Sequence, residues 1–201
     1  MPGVQIRSTF TQMDLQTSQQ KVNYYKIIPL VLMGVGLIVL GIVAVSVLMG
    51  GNSPTDSSVV PSEVDFPAPE LTLSDLNGKQ VNIADYRQQI LLINNWATWC
   101  PPCKAEMPTL SKYFKAHSDQ GFMLIGIEAG DPVEDVASFV DEYGLTFPIL
   151  LDPNNKSLIA FHNDSLPSSY VIDHHGTVIL AWTGPISRAM LEKYITPLLE
   201  K

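Results

Sequence analysis

The chain has 201 residues, with 12 Lys and Arg against 20 Asp and Glu and a net charge of −8. This length allows one ordinary domain with a flanking segment. The acidic balance argues against nucleic acid as a partner. Because the whole chain holds two cysteines, it cannot build a framework of several disulfides or a four-cysteine zinc site.

The first predicted element is a membrane-spanning helix. Residues 1–26 are polar and are interpreted as a cytoplasmic tail, whereas residues 27–49 contain no charged side chain. A helix over this run would be roughly 34 Å long, enough to cross a bilayer core of about 30 Å. We therefore expect a transmembrane signal anchor over residues 27–49, with the lipid bilayer as its partner.

The charges before this span predict its orientation. Arg7, Lys21 and Lys26 precede the apolar run, and positive residues are retained in the cytoplasm. We expect a single-pass cell-membrane protein with a cytoplasmic N-terminus and an extracytoplasmic folded domain. One alternative is a cleaved signal peptide, although the run is longer than the apolar region of such peptides. Another is a buried helix of a soluble protein.

Downstream of the apolar run, the pattern predicts a linker and one folded domain. Residues 50–62 are rich in Gly, Ser and Pro, which indicates a flexible linker. The folded domain is expected over 63–201 and begins with a hairpin, because segments 71–73 and 80–83 flank Asn77-Gly78. The further predicted strands are 90–94, 122–127, 147–151, 170–172 and 178–182, and the predicted helices are 101–117, 132–143, 156–161 and 187–199.

This order of elements predicts the fold class. An N-terminal β-hairpin followed by alternating strands and helices is typical of an α/β domain with a mixed central sheet and helices on both faces. Pro108 is expected to kink the helix over 101–117. The two cysteines directly follow the strand over 90–94, and active sites of open α/β sheets gather at the carboxyl ends of strands.

The cysteine spacing predicts thiol–disulfide chemistry. Cys100 and Cys103 flank Pro101 and Pro102, and such a pair can close and reopen a small disulfide ring. The expected centre is therefore a redox-active disulfide with no other cofactor and no metal. The partial positive charge of a helix N-terminus favours the thiolate of Cys100, and Cys103 suits the resolving role. A static disulfide and a metal site remain as alternatives, although so small a ring would stabilise the chain little.

Three segments carry a resemblance to a known family. NWATWCPPCKAEMP at 95–108 resembles the active-site segment of membrane-anchored, thioredoxin-like thiol–disulfide oxidoreductases, often grouped with the cytochrome c maturation reductases. YGLTFP at 143–148 and LPSSYVID at 166–173 are similar to further segments of that family. The resemblance covers most of 64–200. It implies a thioredoxin-like fold and reduction of disulfides in exported proteins such as apocytochrome c, with electrons from a membrane thiol-transfer donor.

The resemblance also implies roles for single residues. The expected catalytic residues are Cys100, Cys103, Glu106 and Pro167. The expected substrate-binding residues are Trp99, Pro101, Pro102 and Leu166. Pro167 matches the family's cis-proline, and Asn94 stands where ordinary thioredoxins place a buried aspartate. The alternative for Glu106 is a solvated acid on a helix surface.

Two other functions are compatible with the expected fold, and one segment differs from the family pattern. A peroxiredoxin-like thiol peroxidase and a non-catalytic thioredoxin-fold assembly module share the expected fold, but both leave the complete C-x-x-C pair unexplained. The segment Phe161–Ser165, on the expected substrate side, is more polar than its counterpart in the family. His162 within it is interpreted as a loop residue, with contact to a substrate as the alternative. The pair His174-His175 is interpreted as part of a turn.

Overall fold

A computed structural model of the chain describes residues 28–29, 31–42 and 59–200. The chain divides into two units, Met1–Thr55 and Asp56–Lys201. In the first unit, residues 31–42 are helical and exposed along their length. No helix among the described residues is long and apolar enough to cross a membrane. The predicted tail over 1–26, most of the predicted linker and the remainder of the predicted span lie outside the described residues.

In the second unit, the strands form a single mixed sheet. Residues 59–200 contain eight strands: β1 (Ser62–Pro67), β2 (Thr72–Asp75), β3 (Gln80–Asn82), β4 (Ile90–Trp96), β5 (Phe122–Glu128), β6 (Ile149–Leu151), β7 (Ser168–Ile172) and β8 (Thr177–Thr183). Their spatial order is β1-β8-β7-β4-β5-β6-β2-β3. β5 pairs in parallel with both β4 and β6, and the other pairs are antiparallel. The predicted mixed sheet is therefore confirmed.

Helices pack against this sheet, and its central strand is buried. The α-helices over residues 59–200 are α1 (Pro101–His117), α2 (Val133–Tyr143), α3 (Lys156–Ala160), α4 (Arg188–Tyr194) and α5 (Thr196–Leu199). All seven residues of β4 are buried. Because side chains alternate along a strand, Leu92 and Trp96 join the apolar cluster that contains α1, whereas Leu91 and Ile93 join a second cluster.

The structure differs from the sequence-based expectation at two places. β1 lies where the linker was expected to end, and it pairs with β8 through a register shift between Glu63 and Phe66. The predicted helix over 187–199 is interrupted at Ile195, because Pro197 has no N–H to continue the hydrogen bonds of α4. α1, in contrast, continues through Pro108 to its end at His117.

Gly126 of β5 lies in a tightly packed part of the sheet. A Cβ at this position would lie 2.8 Å from Ile149 Cδ1, 2.9 Å from Phe147 Cε2 and 3.0 Å from Trp96 Nε1. We expect Gly126→Ala to lower the free energy of unfolding by about 1–3 kcal/mol through overpacking, measured by urea denaturation. Gly41→Ala, whose Cβ would meet nothing within 4 Å, is the control. An unchanged midpoint for Gly126→Ala would contradict this packing.

Candidate active site

Cys100 lies at the point where the central strand gives way to the first long helix. β4 ends at Trp96, and Cys100 is the N-cap residue of α1 with an extended backbone. Its Sγ accepts a hydrogen bond from the N–H of Cys103 at 3.3 Å, and its carbonyl accepts one from the N–H of Lys104 at 3.1 Å. The sulfur therefore takes the place of a capping oxygen, in the electrostatic field of the helix N-terminus.

The two cysteines form the disulfide that their spacing predicts. Their Cα atoms are 5.3 Å apart. Cys100 is 3% exposed and Cys103 is fully buried. Pro101 and Pro102 occupy the first two positions of α1 and are exposed. A missing N–H has no consequence there, because no partner within the helix exists for it.

A cleft of about 940 Å³ opens beside Cys100. Its lining combines residues from the turn before α1, from α3 and from the loop before β7. These residues are Trp99, Cys100, Pro101, Pro102, Ala129, Asn155, Leu158, Ile159, His162, Asn163, Asp164 and Leu166. Trp99 and Ile159 are about two-thirds exposed, at 66% and 67%. Large apolar side chains held in water at the edge of a cleft are typical of a surface that binds another molecule.

Leu166 and Pro167 lie in the segment that precedes β7. Their peptide bond is cis, as the sequence resemblance implies. The carbonyl of Pro167 accepts a hydrogen bond from the N–H of Gly184 at 2.8 Å, and Leu166 lines the cleft. All four predicted substrate-binding residues therefore line the same cleft as Cys100: Trp99, Pro101, Pro102 and Leu166.

Glu106 is buried, so it is not a solvated surface acid. It is 3% exposed, on the first turns of α1. Its Oε1 accepts a hydrogen bond from Asn94 Nδ2 at 2.8 Å, and its Oε2 accepts one from the N–H of Ile186 at 2.8 Å. Burial raises the pKa of Glu106 from 4.5 to about 7, although both hydrogen bonds oppose this change. The carboxyl can therefore gain or lose a proton near neutral pH.

Asn94 connects this acid to the strand beside Pro167. Its Nδ2 donates to Glu106 Oε1 and to Ser169 Oγ, the latter at 2.9 Å, while its Oδ1 is buried without a hydrogen-bond partner. The amide itself carries no charge at any ordinary pH. Of these two hydrogen-bonded side chains, Glu106 is therefore the one that can exchange a proton.

Two acids that sequence reasoning missed hold the turn before Cys100. Asp131 Oδ2 accepts hydrogen bonds from the N–H of Thr98 at 2.8 Å and from its Oγ1 at 2.7 Å. Burial would raise the pKa of Asp131, but hydrogen bonds with Thr98, Glu128 and Trp99 together lower it. Both carboxyl oxygens of Glu128 accept from the N–H of Asp131 at 3.1 Å, and burial raises the pKa of Glu128 to about 8.

A topological signal could have identified this pair. Glu128 ends β5, the parallel neighbour of β4, and carboxyl ends of adjacent parallel strands meet at one edge of the sheet.

Of the three histidines considered from the sequence, one lies at the cleft and two lie elsewhere. His162 lines the cleft with a left-handed backbone (φ 51°), whereas His174 and His175 lie in the turn between β7 and β8, outside the cleft lining. Within the part of the chain that the structure describes, no group of three or more His, Cys, Asp or Glu side chains is placed to hold a metal ion.

A C-x-x-C disulfide that caps a helix at the carboxyl end of a central strand is the redox centre of a thiol–disulfide oxidoreductase with a thioredoxin-like fold. The AhpC/TSA family model matches residues 64–181. The chain belongs to this family. Relatives include the thiol-disulfide oxidoreductase ResA of Geobacillus kaustophilus, which is 34% identical over 128 residues, covering 64% of this chain and 74% of the relative. The ResA of Bacillus subtilis is 32% identical, with coverage of 64% and 72%.

Solved structures agree with this assignment. A thiol:disulfide interchange protein of the thioredoxin family from Chlorobium tepidum TLS superposes with a TM-score of 0.61 and 27% identity, covering 69% of this chain and 99% of that one. The relatives are named as oxidoreductases that exchange thiols and disulfides. They therefore favour this activity over the peroxidase and over the non-catalytic module.

The raised pKa of Glu106 predicts a dependence of stability on pH. The folded state disfavours the ionised carboxyl, so its contribution is fully present below about pH 4.5 and is lost as the pH rises through about 7. Over this range we expect the wild type to lose about 3 kcal/mol more unfolding free energy than Glu106→Gln, which cannot ionise. Urea denaturation at several pH values measures the difference.

The control for this measurement is Glu142→Gln, at an exposed position of α2. This variant should follow the wild-type curve throughout. Parallel curves for the wild type and Glu106→Gln would contradict the effect of burial on Glu106.

Proposed function

We propose that this thiol–disulfide oxidoreductase is a membrane-tethered, extracytoplasmic reductase of disulfides in exported proteins such as apocytochrome c. The observation that carries the proposal is the position of Cys100, which is disulfide-bonded to Cys103, on a cleft of about 940 Å³. A cleft of this volume, with exposed Trp99 and Ile159 at its edge, suits a segment of polypeptide better than a small peroxide.

The proposed reaction begins with the reduced dithiol. The thiolate of Cys100 attacks one sulfur of the substrate disulfide, forms a mixed disulfide and releases the other substrate sulfur as a thiolate, which takes up a proton. Cys103 then loses its proton and attacks the sulfur of Cys100, which frees the second substrate thiol. Two electrons and two protons pass to the substrate, and the chain is left with the Cys100–Cys103 disulfide.

Glu106 is proposed to exchange the proton of Cys103. Residues three apart in a helix share a face, so Glu106 follows Cys103 one turn along α1. A pKa of about 7 allows its carboxyl both to accept the thiol proton and to return it at neutral pH. Pro167 and Leu166 are proposed to present backbone to the substrate, and Trp99, Pro101 and Pro102 to contact it on the side of α1.

The proposed tether is supported by the apolar run at residues 27–49. Within its described part, residues 31–42 are helical with exposed large apolar side chains, among them Leu32 at 65% and Leu40 at 66%. Such a surface is stable in a lipid environment and unfavourable in water. We accordingly propose the tail, anchor and linker boundaries expected from sequence, with the domain over 63–201 outside the cell membrane.

The proposed location also defines the electron source. Each cycle leaves a disulfide that must be reduced by a donor of two electrons and two protons. Disulfides persist outside the cytoplasmic membrane because no thiol pool keeps them reduced there. We therefore propose a membrane thiol-transfer protein as the donor, with its own dithiol reducing the Cys100–Cys103 bond.

A trapping variant tests the substrate class. Cys103→Ser removes the resolving thiol, so we expect the mixed disulfide between Cys100 and the substrate to accumulate in the host. Non-reducing electrophoresis and mass spectrometry should identify exported proteins with cysteine pairs, including apocytochrome c.

The matched control is the double variant Cys100→Ser/Cys103→Ser, which should capture nothing. Adducts made only with cytoplasmic proteins would contradict the proposal. A reduction potential near that of a strong oxidant, about −120 mV, would contradict the reductase direction.

Fractionation of the host tests the tether. The full chain should sediment with membranes and resist extraction by high salt, because a hydrophobic anchor is insensitive to ionic strength. Protease added to intact spheroplasts should degrade the folded domain. A variant without residues 27–49 should leave the membrane fraction and be protected from the protease. Recovery of the full chain in the soluble cytoplasmic fraction would be incompatible with the proposed tether.

A further inference from the structure

The second asparagine of β4 lies at the centre of a buried polar network. Asn95 is 1% exposed, and its side chain points to the face of the sheet opposite α1. Its Oδ1 accepts a hydrogen bond from Ser157 Oγ at 2.6 Å, and its Nδ2 donates to Ser168 Oγ at 3.2 Å. Ser157 and Ser168 are fully buried. The three side chains thus satisfy one another away from water.

This network connects three parts of the chain that contribute to the cleft or lead into it. Asn95 belongs to the strand that leads to Cys100, and Ser168 directly follows Pro167 at the start of β7. Ser157 lies in α3, whose next two residues, Leu158 and Ile159, line the cleft. The side chain of Asn95 therefore links the cleft wall formed by α3 to the strand before Cys100 and to the residue after Pro167.

The wall itself is a weak element. α3 has five residues, and a helix this short does not hold its shape without tertiary contacts. Left-handed residues bound it on both sides, Asn155 at φ 53° and His162 at φ 51°. Asp152 caps its first turn by accepting from the N–H groups of Lys156 and Ser157. The bond from Ser157 to Asn95 links α3 directly to β4, beside the apolar contact of Phe161 with Tyr170.

An apolar side chain would pack more simply at this position. The same face of β4 carries Leu91 and Ile93, which belong to an apolar cluster. Hydrogen bonds between buried groups fix directions and distances that apolar contacts leave adjustable. The network is therefore suited to setting geometry rather than to adding stability.

We propose that Asn95, Ser157 and Ser168 are positioning residues that set the width of the cleft and so determine how well it binds polypeptide disulfides. The inference rests on the proposed function, since it assumes that a polypeptide occupies the cleft. These three residues do not touch the reacting sulfurs. A small disulfide that needs only Cys100 should therefore react at an unchanged rate.

The test compares two substrates in single-turnover oxidation of the pre-reduced full chain. Insulin supplies a polypeptide disulfide, and an aromatic disulfide reagent supplies a small one. For Ser157→Ala we expect the insulin concentration at half-saturation to rise about tenfold, as for loss of one buried hydrogen bond, with the limiting rate within about twofold of wild type. The rate with the small reagent should stay within about twofold of wild type.

Matched variants separate positioning from general damage. Ser111→Ala removes another buried hydroxyl, one without a hydrogen-bond partner, and should leave both substrates unaffected. Ser157→Thr keeps the hydroxyl and should restore binding of insulin. If Ser157→Ala does not fold, Ser168→Ala interrupts the network from the other side and should give the same selective loss.

The outcomes are distinct. Equal slowing of both substrates, or unchanged insulin binding in a variant that folds normally, would overturn the positioning role. Failure of the Cys103→Ser trap to capture exported proteins would instead remove the proposed physiological substrate, while the insulin comparison would still report on the cleft.

Discussion

The complete burial of β4 is the constraint on which the rest of the site depends. All seven of its residues are buried, so a polar side chain among them is stabilised by hydrogen bonds within the protein rather than by water. Asn94 and Asn95 end the apolar part of the strand and point to opposite faces. In the antiparallel register with β7 they face Ser169 and Ser168, and each donates a side-chain hydrogen bond to its counterpart. This double pairing fixes the strand of Cys100 relative to the segment of Pro167.

Burial also determines the electrostatics around the dithiol. Glu106 lies against one side of β4 and Glu128 ends the neighbouring strand, and in both cases removal from water raises the pKa, to about 7 and about 8. Hydrogen bonds, among them two from Thr98, lower the pKa of Asp131 and favour its charged form. The surroundings of the cysteines thus combine one fixed anion with two carboxyls that change charge around neutral pH. Such groups are found where proton transfer accompanies a reaction.

The parts of this arrangement that depend on local sequence were predictable. Prolines after Cys100 favour a helix that starts there, and Asn77-Gly78 between short strands specifies a hairpin; both are observed. The buried environment of Glu106 was not predictable, because the hydrogen bond that Oε2 accepts there comes from Ile186, which lies 80 positions away. The bond between Asn95 and Ser157 spans 62 positions. β1 was missed because its segment, SEVDFP, carries no apolar run.

The two asparagines show how one strand can serve two requirements at once. On the face of α1, Asn94 bonds Glu106, so this side of β4 holds the group proposed to move protons. On the other face, Asn95 bonds α3, so that side holds the wall proposed to bind the polypeptide. Neighbouring residues of a strand cannot exchange faces without a shift in register. Glu106 and α3 are therefore held by separate side chains, and the strand fixes the distance between them. A substitution on one face should therefore alter one property without the other.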